Sequence, residues 1–285
     1  MALNDFESSA ARGQPVYLVQ FIYGPEPADY YAYTDGESEV THDSVVYSAL
    51  PLTISKITAK GKMERNEVRV VVPRDSDVAE MFRVYPPTQV VTIRIRQGHI
   101  ANSDDPVDYA LGENFPVAWL GRVLEASREG AESTLTCELL SASMKRPGLR
   151  RHYQWPCPLA LYGSRCQADE VAATTTATVG SITGNAVTLN GGWLPSGTVE
   201  KNYVGGSIEW VGSGGTEKRM IMKVESNVVY MAGPPRGLEA SDSVSMVLGC
   251  GRHEIDCAGL HNNAVNYGGH PFIPTFNPVG KNNHT

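Results

Sequence analysis

Four of the five cysteines fall in two pairs, Cys157-x8-Cys166 (CPLALYGSRC) and Cys250-x6-Cys257 (CGRHEIDC), with residues 167–249 between them. Four thiolates can hold a soft metal, but these pairs meet only where the intervening stretch is an insertion whose ends come together. Three chemistries compete. A structural zinc prefers tight C-x2–4-C knuckles, a spacing neither pair has. An iron–sulfur cubane is larger and takes thiolates from spread positions, so the looser spacings suit it better. Two disulfides are the third reading, since closing a loop of this length stabilises by ~4–5 kcal/mol in the chain-entropy picture. A reducing site of synthesis counts against them. Spacing alone therefore ranks a metal above disulfides.

His253 and His261 lie close enough to the second pair to substitute as ligands. A cysteine near a histidine also admits a nucleophile and its base, as in a cell-wall peptidase. Neither Cys250 nor Cys257 has a strand–turn–helix context, however, and no Asp or Asn is placed to orient His253, so the enzyme reading falls behind. Cys137, in Leu135-Thr136-Cys137-Glu138-Leu139, shares a period-two face with the two leucines and reads as a core residue.

The elements that must position these groups are mostly strands. Residues 15–23 (PVYLVQFIY), 30–34, 40–47, 52–58 and 67–72 are β-forming runs, with Asp35-Gly36 as a turn dipeptide. Residues 75–82 suit a short helix capped by Asp75 or Ser76. The clearest alternation is Val91, Ile93 and Ile95 inward against Arg94 and Arg96 outward, and 117–126 with 134–140 read as a closing hairpin. Eight or so short strands in this stretch predict a closed or nearly closed antiparallel β-barrel over 1–150. After the basic linker KRPGLRR (145–151), a Thr-, Val- and Gly-rich second β-module spans 172–248, with turns at Gly184-Asn185, Ser213-Gly214-Gly215 and Ser226-Asn227. Residues 151–171 and 249–285 form the four-cysteine region, whose tail from His261 is too rich in Asn, Gly and Pro for a regular element and must pack as an ordered loop or lie on a neighbour. The fold class is mainly β.

Composition narrows the function. The chain has 285 residues with 28 glycines and 18 prolines, and 24 basic against 31 acidic side chains give a net charge of −7. That balance argues against a protein whose main work is gripping nucleic-acid phosphates. No apolar run approaches the ~18 residues of a membrane span, and the start MALNDFESSAARGQ has no basic-then-apolar export signal, so a cytoplasmic site of synthesis is expected.

The order Tyr153-Gln154, Cys157-Pro158, Tyr162-Gly163, Cys166, then Gly205-Gly206-Ser207-Ile208-Glu209-Trp210, Gly249-Cys250, Cys257, and Asn263-Ala264-Val265-Asn266-Tyr267-Gly268-Gly269-His270-Pro271-Phe272-Ile273-Pro274 is distinctive. It resembles the baseplate-hub proteins of long non-contractile phage tails and of gene transfer agents, and is similar in layout to the tail-tip protein L of lambda-like phages. The resemblance covers nearly the whole chain, with its specific motifs between Tyr153 and Pro274. It implies a structural virion protein rather than an enzyme: a homotrimeric ring at the tail tip, assembled in the bacterial host cytoplasm without membrane anchoring. That ring joins the distal tail protein to the central tip or fibre protein and surrounds the channel for the tape measure protein and, in transit, DNA. It further implies an iron–sulfur cluster, [4Fe–4S], with structural zinc as the alternative, on Cys157, Cys166, Cys250 and Cys257. The acidic composition suits a channel wall that repels DNA phosphates. Two other functions stay open: a tail-associated cell-wall hydrolase, and a glycan- or receptor-binding β-module using Trp193, Trp210 and Tyr230, although aromatics in small β-modules are more often core.

Overall fold

The computed structural model describes residues 14–24, 29–57, 67–100, 115–145, 148, 152–212 and 215–274. The chain divides into two compact units at Arg146/Pro147.

In the first unit the strands are β1 (Gln14–Ile22), β2 (Tyr30–Thr34), β3 (Val40–His42), β4 (Val45–Ala49), β5 (Thr53–Ile54), β6 (Val68–Pro73), β7 (Thr92–Ile100), β8 (Val117–Glu129) and β9 (Glu132–Leu139). They form one nine-stranded sheet in the order β3-β4-β2-β1-β7-β8-β9-β6-β5. The closure expected of these strands is not found among the described residues, because β3 and β5 stand at opposite ends of that order. One pairing, β2 with β4, is parallel. Thr34 therefore does not enter a hairpin at Asp35-Gly36; the Asp35 carboxylate instead accepts the Tyr17 N–H at 2.7 Å. The tight turn falls between β3 and β4 at Asp43 and Ser44, both with positive φ (50° and 63°), the backbone that two-residue hairpins require.

β1 carries apolar residues on both faces because both are covered. Val19 and Phe21 join Ile93, Ile95, Val70, Leu135 and Cys137 in the larger core, while Val16 and Leu18 meet Ala32, Val40, Tyr47 and Phe115 in a smaller one. The short helix α1 (Asp77–Met81) follows Ser76 and lays Val78, Ala79 and Met81 on the larger core. Arg94 and Arg96 point away from that core, as alternation requires, but not to open solvent: Arg96 Nη1 donates to the Phe115 carbonyl at 3.0 Å and Arg94 reaches Gln20.

In the second unit β10 (Thr174–Thr183), β11 (Ala186–Leu189), β12 (Ser207–Gly212), β13 (Gly215–Glu225), β14 (Val228–Met231) and β15 (Ser243–Val247) close into a six-stranded antiparallel barrel, β10-β11-β14-β13-β12-β15. Its first and last strands pair, with Thr174 opposite Val247. Gly184 and Ser226 supply positive φ at two of the expected turns; residues 213–214 of the third lie outside the described residues. Ile208, Ile221, Val229 and Met246 fill the interior with Trp193, Trp210 and Tyr203. One wall also buries charge. Glu217 and Arg219 are 2% and 3% exposed, alternate inward on β13 and bond at 2.9 Å, and Arg236 closes on the other Glu217 oxygen. The Arg219 guanidinium lies 5.7 Å from the Trp210 ring centre. No helix among the described residues is long and apolar enough to cross a membrane.

Candidate functional site

Closure of the barrel decides where the cysteine segments go. With Thr174 paired to Val247 and the Leu248 N–H donating to the Ala173 carbonyl at 3.0 Å, the segments entering and leaving the barrel start side by side. They then zip together. Tyr162 Oη donates to the Leu248 carbonyl at 2.7 Å, Cys157 N–H to the Arg252 carbonyl at 2.9 Å, and His270 N–H to the Gln154 carbonyl at 3.0 Å. Tyr267 Oη donates to the Trp155 carbonyl at 3.0 Å, and Trp155 Nε1 to that of Pro271 at 2.6 Å. Gly268 and Gly269 are needed here because a Cβ would press on the Leu159 side chain and on the Trp155 carbonyl, respectively.

Cys157, Cys166, Cys250 and Cys257 all line one cavity between these segments, beside Arg252, His253, His261 and Asn263. All four carry free thiols. The Arg252 N–H donates to Cys250 Sγ at 3.4 Å. Cys257 sits in the short helix α2 (Glu254–Gly259) and its thiol donates to the Asn263 carbonyl at 3.1 Å. The Asn263 amide donates to the Cys166 carbonyl at 2.5 Å. Burial is the largest influence on the Cys250 and Cys257 thiols and pushes both up, with the neighbouring cysteines adding to it. Four residues of this region, Tyr162, Gln167, Arg252 and Asn262, take positive φ without being glycine, a concentration of backbone strain typical of sites held by their surroundings.

The cofactor expectation is corrected by this geometry. Among the described residues no group of three or more His, Cys, Asp or Glu side chains is arranged to hold a metal ion. Neither the [4Fe–4S] cluster nor the zinc alternative is therefore indicated. In the local bonding the Cys257 thiol is a donor to the Asn263 carbonyl, while Cys250 Sγ accepts the Arg252 N–H. The histidines are engaged too. His261 Nε2 lies 3.0 Å from the Gly249 carbonyl, and His253 packs edge-on to Trp155.

The aromatics considered for glycan stacking are not presented for it. Trp193 and Trp210 are buried, with Trp193 Nε1 donating to Asn227 Oδ1 at 3.2 Å and Trp210 Nε1 to the Arg236 carbonyl at 2.9 Å. Tyr230 is half-buried beneath the Lys223 ammonium. Sequence reasoning passed over Asn263, which ties Cys166 to Cys257; its place in the run Asn263 to Pro274 was the available signal. The basic stretch 145–151 and residues 275–285 of the tail fall largely or wholly outside the described residues. The tail up to Pro274 is less irregular than expected, having a 3-10 turn at Ala264–Asn266, and it is held against Gln154 and Trp155 by the hydrogen bonds above.

Comparison with known proteins gives two likenesses. Residues 201–277 match the family described as Phage conserved hypothetical protein BR0599. No curated protein matches the sequence. Among solved structures, a chain of "Virion of native gene transfer agent (GTA) particle" is similar with a TM-score of 0.75 over 96% of this chain and 93% of that one. Its sequence identity is 16%, so the likeness is one of fold, extending through both units.

Proposed function

We propose that this chain is a structural protein of a phage or gene-transfer-agent virion and, within it, a tail-tip hub. The observation that carries the reading is the likeness over 96% of the chain to a polypeptide of a gene-transfer-agent virion; the phage-family match over 201–277 supports it independently. The role is architectural, not catalytic. Three copies form a ring that joins the distal tail protein above to the central tip or fibre protein below, around the channel for tape measure protein and DNA. Closed and extensively paired sheets suit that task, since rigid β-units offer fixed surfaces to partners of unlike symmetry. We read residues 1–150 as the hub domain, 172–248 as an inserted module, and 151–171 with 249–285 as the region that anchors it. The net charge of −7 fits a conduit along which DNA slides without sticking.

The test is a reconstruction of the particle's tail tip. Three copies of this chain around the tail axis, between the tail tube and the terminal fibre, are expected. A reconstruction with this chain in a peripheral fibre, or particles of normal tail-tip structure made without it, would overturn the reading.

A further inference from the structure

Two apolar surfaces stay open to solvent, one on each unit. On the second unit, the hydrogen-bonded segments 153–155 and 270–273 gather three aromatic rings: Tyr153, Trp155 and Phe272 are 84%, 53% and 94% exposed. Two of the rings are held in place, Tyr153 against the His270 ring with centres 4.8 Å apart and Trp155 through its Nε1–H to the Pro271 carbonyl. On the first unit, the loop joining α1 to β7 carries the exposed Val84, Pro86 and Val90. With Leu124 of β8 this loop walls a groove of about 250 Å³. Arg122, the charged residue of its lining, is paired with Glu138 at 2.6 Å and so adds no net charge to the groove.

We propose that these two surfaces meet between copies of the chain: the aromatic cluster of one copy seats on the groove of the next, with Phe272 entering it and Tyr153 and Trp155 lying on Pro86 and Pro87. Three arguments choose a second copy as the occupant. At their exposures the three rings offer roughly 350–580 Å², about half of the ~800 Å² that one partner contributes to a standard protein interface. Prolines fix the groove's wall, and aromatic faces pack well on such preformed proline segments. Charge sets the orientation, because residues 1–146 carry the whole net charge of −7 and residues 147–285 are balanced. Two first units therefore repel each other, whereas a second unit approaches a first without that cost. The contact is heterologous, leaving one cluster and one groove unfilled until a ring closes. It deepens the hub reading by naming the surfaces through which the copies join, and rests on that reading only for the number of copies at closure.

The experiment measures the mass of the full chain by light scattering across a concentration series, with thermal unfolding of each variant beside it. The parent should self-associate. A cluster variant (Tyr153→Asp with Phe272→Asp) and a groove variant (Val90→Asp) should each weaken association by about 30-fold, the loss expected of a ring at an interface centre. Both should unfold at the parent's temperature, since the altered side chains are exposed. Leu124→Asp repeats the groove arm should Val90→Asp unfold. Mixed in equal amounts, the cluster and groove variants should form a one-to-one complex, because the first keeps its groove and the second its rings. A parent that stays monomeric, a folded variant that associates like the parent, or a mixture that stays monomeric would each overturn the contact. Those results leave the hub reading standing, and a misplaced chain in the tail-tip reconstruction leaves this contact standing.

Discussion

The backbones of Gly206 and Gly249 pass so close that a Cβ on either would stand 2.7 Å from the other's amide nitrogen. Gly206 immediately precedes β12 and Gly249 follows β15, so this contact is where the barrel wall meets the cysteine segment leaving it. The Gly249 N–H donates to the Asn202 carbonyl at 2.7 Å, and an added Cβ there would meet the Val204 carbonyl as well.

Replacing Gly249 by alanine should therefore destabilise the second unit by about 1–3 kcal/mol through overpacking against backbone. Urea titration followed by Trp fluorescence checks this. Gly191→Ala in the same unit, whose Cβ would meet no neighbour and whose φ is not positive, is the uncrowded control and should cost less.

Glu217→Ala should cost about 3–5 kcal/mol, because it leaves the buried Arg219 and the largely buried Arg236 without their shared carboxylate. Glu217→Gln, which keeps the shape and part of the hydrogen bonding, should cost less. Thermal unfolding of both variants against the parent gives the order.

His42 is 4% exposed, and burial, reinforced by Arg96 and opposed by Asp43, holds its pKa below the ordinary value of 6.5. The fold thus keeps His42 neutral while the unfolded chain takes up a proton. Its contribution is present above pH ~6.5 and is lost as the pH falls toward the lowered folded value. Between pH 7 and 5 the parent should lose more stability than His42→Gln, as read from urea midpoints at the two pH values.

Burial pushes the Cys137 thiol up from 9.0 to about 12. The folded chain retains a proton that the unfolded chain releases, so this group's stabilisation holds below pH 9 and declines as the pH rises toward 12. Cys137→Ala should show a shallower loss of stability above pH 9 than the parent. In the folded parent at pH 8, iodoacetamide should leave Cys137 unmodified until denaturant is added.

Local patterns were legible in the sequence, and long-range pairings were not. The alternation Val91–Ile95 reads directly because one face is fully buried, and Cys137 reads as core for the same reason. Asp35-Gly36 misleads because the chain after β2 crosses to a parallel partner, whereas the real hairpin turn is made by Asp43 and Ser44 without glycine. Closure was anticipated in the first unit and is found in the second: it depends on β10 pairing with both β11 and β15, and the latter contact spans the whole module. The meeting of the four cysteines around one cavity follows from the pairing of the first and last barrel strands, which the spacing of the pairs hints at. What the spacing could not convey is the part of Arg252, whose N–H reaches Cys250 Sγ, and of Asn263, whose carbonyl accepts the Cys257 thiol.

Because Thr174 and Val247 face each other across the same ladder, the barrel begins and ends at one place in space. Everything between them can be regarded as a cassette clipped into a fixed holder made by residues 152–173 and 248–274. A cassette with coincident ends can be exchanged for one of different length or surface while the holder keeps its register, since nothing in the holder has to span the difference. Variation between relatives should accordingly concentrate in the outward positions and turns of β10 to β15, and the residues that lock the holder, Tyr162, Arg252, Asn263 and Gly269 among them, set the terms on which any replacement is accepted.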